Sequence, residues 1–209
     1  PENASRQRLD TAADDALAVA PLGGGAASVG WTRATALGRL LHDLYGVWRY
    51  WTVPTRRNAT RSIPLELSGW KPHEKSMEFG YLALLVAEIP LWITHIIKYS
   101  EIDFATFQHY KPKSTNDLTD HFKQNVAGAK EALLGVQEGG LDDDFYLKAN
   151  GQVLFSSTKK EQVESTINHM VHHRGQLTVY MRLNDIAIPS IYGPTADDKS
   201  FTSDSRGGR

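Results

Sequence analysis

Residues 158–184 read TKKEQVESTINHMVHHRGQLTVYMRLN. Thr158 and Glu161 open the stretch as a T-x-x-E capping box, in which each side chain serves the other's backbone N–H and so starts a helix. Wound at 3.6 residues per turn, Val163, Ile167, Met170, Leu177 and Met181 fall on one apolar stripe. Gln162, Thr166, His169, His173, Gln176 and Tyr180 form a second stripe beside it, and His172 points outward. A long helix with one apolar face needs apolar partners. Arg174 falls within the apolar stripe, where a guanidinium must find a carboxylate or a helix end to be tolerated.

Such partners are present upstream. The stretch from after Ser76 to about Tyr99 carries Leu82, Val86, Ile89, Ile93 and Ile96 on one stripe, with Pro90 predicting a kink. A further helix is predicted from about Asn116 to Glu138, stopped by Gly139 and Gly140. The first runs from about Thr35 to Ser62, with Leu37, Leu41, Leu44, Trp48 and Trp51 near helical spacing and Pro54 as a breaker. Asn150-Gly151, between Tyr146-Leu147 and Val153-Leu154-Phe155, predicts a hairpin. The expectation is an all-α domain: a four-helix bundle over residues 31–198 with a short hairpin-like insertion before the last helix. Residues 1–30, rich in Ala, Gly, Asp and Ser, read as a loose leader, and 199–209 as a flexible tail.

Composition narrows the chemistry. The chain has 209 residues, a formal net charge of -1 and no cysteine. This excludes disulfides, thiolate ligands and a cysteine nucleophile, so any metal must rest on His, Asp or Glu. There is no basic stripe to hold nucleic acid. No run approaches the apolar length of a membrane span, and the N-terminus lacks a signal-like core, so a cytoplasmic protein is expected. Asp142, Asp143 and Asp144 lack the spacing of a calcium loop and read as a solvated charge run. Ser156, Ser157 and Thr158 lack a nucleophile-elbow context. Trp70-Lys71-Pro72-His73 reads as a loop anchor.

His169 and His173, one turn apart, stack on one face of the last helix. That spacing lets two imidazoles share one metal ion, although an ordinary amphipathic helix produces the same pair by chance. A catalytic zinc site usually takes three protein ligands, and the third would come from another helix.

The run HMVHHRGQLTVYMRLNDIAIPSIYGP (169–194) resembles the C-terminal signature of the DinB/YfiT-like metalloenzyme family: H-x-x-H-H-R-G-Q, then Tyr-x-Arg, a Pro and Tyr-Gly. ELSGWKPHEKSMEFGYLALLVAEIPLW (66–92) resembles that family's loop and second helix. The resemblance implies an up-down-down-up four-helix bundle, a homodimer, and a divalent metal, nickel or zinc, on three histidines. Two of them correspond to His169 and His173. The third belongs to a Leu-Ala-x-His pattern, which here reads Leu82-Ala83-Leu84-Leu85. Leu85 therefore stands where a ligand is expected.

Leu85, Glu88 and Trp92 share a stripe of the second helix. Glu88 would serve as a replacement ligand or base, or else as a structural partner for Arg174 or a helix end. His95 and His42 are further candidates for the missing ligand. Leu85, Trp92, Gln176 and Tyr180 are expected to line the substrate pocket. Two functions follow from the resemblance. One is a metal-dependent hydrolase or small-thiol-dependent transferase acting on a small molecule, with an incomplete histidine site. The alternative is a degenerate, metal-free bundle serving as a binding or dimerisation module.

Overall fold

The computed structural model describes residues 63–188 and 193–197. The helix expected over 35–62, with His42, and both expected flexible ends lie outside these residues.

After a 3-10 turn at Leu65–Leu67, helix α1 runs Phe79–Tyr99. Its start is two residues beyond the reach of Ser76; Glu78 occupies the N-cap without a side-chain bond. Pro90 sits inside the helix without ending it. Ser100, in the left-handed region at φ 59, turns the chain out of α1. Strand β1 follows at once, Glu101–Asp103. Helix α2 spans Thr115–Gly135, capped by Ser114, whose hydroxyl accepts from Asp117 N–H. Strands β2 (Asp144–Ala149) and β3 (Gln152–Thr158) come next. Helix α3, Lys159–Leu183, starts with both halves of the Thr158–Glu161 capping box formed.

The expected all-α bundle is not what these residues form. Three long helices are joined by a three-stranded mixed sheet of order β1-β2-β3. The hairpin is no insertion: β2 pairs antiparallel with β3 and parallel with β1, Glu101 opposite Tyr146 and Asp103 opposite Lys148. The physical reason is that β1 is three residues long and has no periodicity of its own; its partner lies across α2. Asp103 ties the sheet together. Its carboxylate accepts from Ala105 N–H at 2.9 Å, Asn150 N–H at 3.0 Å and Gly151 N–H at 2.7 Å.

Helix α1 is the hub, packing against both α2 and α3. Its predicted stripe, Leu82 to Ile96, is buried, and so is the α3 stripe from Val163 to Met181. By length and composition α1 is apolar enough to cross a membrane, which the sequence reading did not anticipate. Here that apolarity is spent on the core, where α1 is covered by neighbouring elements. Asn125 reaches across from α2 to donate to Ala87 O at 2.9 Å. The 65–70 turn is pinned to the start of α1 by Phe79 N–H to Trp70 O and Gly80 N–H to Ser68 O, both 2.8 Å. Trp70 anchors it, edge-on to Phe79 and Tyr180.

Candidate functional site

His169 and His173 project from one face of α3 into the molecule, 9% and 2% exposed. Their rings lie 4.4 Å apart, centroid to centroid. The two Nε2 atoms approach to 2.5 Å. His173 Nδ1 meets Gln176 Oε1 at 2.7 Å. An amide oxygen only accepts, so Nδ1 carries the proton and His173 Nε2 is left bare. His169 Nε2–H then donates to it. Burial first, then the neighbouring His173 and His172, lower the pKa of His169 to about 3. His169 is therefore neutral near pH 7. His172, on the outer side of α3, is exposed.

Trp92 of α1 forms the wall beside His169, with ring centroids 5.4 Å apart. Its Nε1 is buried and has no hydrogen-bond partner. Phe107, from the connection between β1 and α2, packs edge-on to Trp92 at 6.3 Å. His95 lies against Tyr99 and Phe107 at 5.1 and 5.7 Å, not against the pair, and burial lowers its pKa.

Glu88 is 1% exposed, and its partners are not those the sequence suggested. His109 Nδ1–H donates to Oε2 and Tyr110 N–H to Oε1, each at 2.6 Å. His121 Nε2 stands 3.8 Å from Oε1. The hydrogen bond that His109 donates to Glu88 is the main cause that raises the His109 pKa; the negative charge of Glu88 adds to this, against partial burial. Burial lowers that of His121, against the pull of Glu88.

Of the anticipated residues, the structure brings together His169, His173, Gln176 and Trp92. Leu85 is buried on α1, three residues before Glu88. Tyr180 sits elsewhere: its ring packs with Trp70 and Phe79, and its hydroxyl donates to Met77 O at 3.3 Å. His109 and His121 were missed. The only available signal was residue type, because His109 lies in a segment without periodicity. A cavity of about 380 Å³ opens between the 63–69 turn, α1 and the start of α2; neither histidine of the pair lines it.

The donor set can be tested against the implied metal. Two nitrogens sharing one tetrahedral ion at about 2.0–2.1 Å would stand roughly 3.3 Å apart, and the pair is closer than that, as two nitrogens sharing a proton are. Gln176 orients His173 as an outer partner orients a ligand. The third position fails. Leu85 has no donor atom, both Glu88 oxygens are engaged, and among the described residues no group of three His, Asp or Glu is placed to hold a metal. The described residues do not fit a three-ligand centre.

A profile described as DinB family matches residues 79–203. A solved DinB-like protein from Bacillus cereus is 20% identical with a TM-score of 0.55, over 76% of this chain and 97% of its own. A DinB-like protein from Bacillus subtilis is 19% identical with a TM-score of 0.48, over 73% of this chain and 92% of its own. No curated protein matches. With more than half of the sequence matched, the chain belongs to the DinB family.

Proposed function

We propose that this DinB-family chain binds a small molecule at the His169–His173 pair, as a centre in which Leu85 has replaced one ligand and no metal is tightly resident. The observation that carries the reading is the pair itself. Two buried imidazoles are hydrogen-bonded to each other through their Nε2 atoms, and Gln176 orients His173 through Nδ1. In this arrangement His169 Nδ1 keeps a lone pair that can accept a hydrogen bond from a bound polar group. Leu85, buried on α1 at the position where the resemblance expects the third histidine, has no donor atom to offer a metal.

A second reading, a zinc- or nickel-dependent enzyme using a small thiol, is favoured by one observation: the Gln176–His173 bond is the kind that orients metal-ligating histidines. In that case His169 and His173 would hold the ion, which would activate a bound water or thiol, with the third ligand supplied from outside the described residues.

Metal titration of the parent and of Leu85→His separates the two. On the first reading, the parent retains neither zinc nor nickel after purification without chelator. Leu85→His then binds zinc or nickel tighter by about a hundredfold or more, because the third imidazole completes the set. Stoichiometric, tight metal in the parent overturns the first reading in favour of the second.

A further inference from the structure

Glu88 is the buried ionisable group that the histidine pair leaves unused. A carboxylate 1% exposed in the middle of a core helix is costly unless partnered. Both of its close partners belong to residues 107–112, a stretch without regular structure between the turn after β1 and the cap of α2. The ends of that stretch are held independently. Phe107 N–H donates to Asp103 O, and Lys113 N–H donates to Asp117 Oδ2. Between those ends, among the described residues, Gln108 bonds its near neighbour Thr106. Among the described residues, the other hydrogen bonds of residues 108–112 go to Glu88. His109, Tyr110 and Lys111 are exposed on their outer side.

What lies beneath this stretch is the site. Phe107 packs on Trp92, and Trp92 packs on His169. Trp92 Nε1–H is buried with nothing to accept it, a cost that a bound acceptor would remove. The histidines are themselves nearly closed to solvent, so a small molecule reaches them only if something moves. Exposed backbone held by few hydrogen bonds opens more readily than the packed helices around it.

We infer that residues 107–112 are a strap, latched to α1 by Glu88 through His109 and Tyr110. The strap lifts to admit a small molecule with a hydrogen-bond acceptor to Trp92 and the histidine pair. The latch stands on geometry alone; the role of what it covers rests on the reading of His169 and His173 given above.

Amide hydrogen exchange and diethyl pyrocarbonate modification of the full chain test this, comparing the parent with His109→Ala and Glu88→Gln. Amides of 107–111 are expected to exchange about tenfold faster in both variants, with α2 and α3 unchanged. Carbethoxylation of His169 is expected to rise several-fold alongside. Unchanged exchange in 107–111 overturns the latch. Faster exchange with no gain in His169 reactivity overturns the strap as a cover. If Glu88→Gln loosens α1 as a whole, His109→Ala decides, because it removes only a half-exposed side chain. Neither readout needs a ligand, so a histidine pair that binds nothing would leave the exchange result standing, and an immobile strap would leave the pair's function standing.

Discussion

A single amide, that of Gln176, orients the His173 ring through Nδ1, and a single missing Cβ decides how closely the 65–70 turn approaches α1. At Gly80 an added Cβ would lie 2.8 Å from Ser68 Cβ and 3.0 Å from its Cα. Backbone cannot yield as a flexible side chain does, and the Gly80 N–H to Ser68 O bond would be strained with it. Gly80→Ala is expected to cost about 1–3 kcal/mol in urea unfolding; an unchanged midpoint would show that the turn is not bound there. Individual residues were unevenly legible. His169, His173 and the apolar Leu85 could be placed because helical periodicity assigns a face to each. Glu88 could be placed on its face but not given its partner: the expectation was Arg174 or a helix end, and its oxygens went to His109 and Tyr110. Tyr180 shares the histidine stripe by spacing, yet its length carries the hydroxyl to Met77 and the ring to Trp70.

Elements with a local code came out where their residues put them. Thr158 and Glu161 cap α3. Asn150 and Gly151, at φ 52 and 78, form the two-residue turn that suits a twisted hairpin. Helix ends without such a code moved: α2 stops at Gly135, short of the glycines at 139 and 140. Strand β1 had no code at all, and it changes the fold class. Asp103 is its working residue. Three backbone N–H groups converge on the carboxylate and hold its pKa below the ordinary value, with Ala105 and then Gly151 the largest contributors that lower it. Asp103→Asn weakens that cluster by removing the charge. Amides of Asn150 and Gly151 are expected to exchange faster in the variant while α3 keeps its protection. Equal rates would mean that the hairpin turn stands without Asp103.

For the molecule as a whole, the buried imidazoles and the latch pull stability in opposite directions with pH. His169 has its folded pKa at about 3 against an ordinary 6.5. Its contribution is therefore present above the unfolded value and lost as pH falls from 6.5 towards 3, where the unfolded chain binds the extra proton. His95 and His121, also lowered by burial, act in the same sense. His109 is raised, so its contribution is present below 6.5 and lost as pH rises through the folded value. Urea midpoints measured across this range are expected to fall on both sides. His169→Asn should flatten the acid side and His109→Ala the alkaline side. An acid limb identical in parent and His169→Asn would contradict the burial of that imidazole as a neutral group.

From its own residues the chain dictated two helical faces, the capping box of α3, one hairpin turn and the shared face of His169 and His173, since each is set by neighbours within a turn or two along the backbone. The mixed sheet and the place of Glu88 beneath residues 107–112 came only with the packed molecule. Those depend on groups about twenty to fifty residues apart, and no local spacing encodes which distant group a buried carboxylate or a three-residue strand will find.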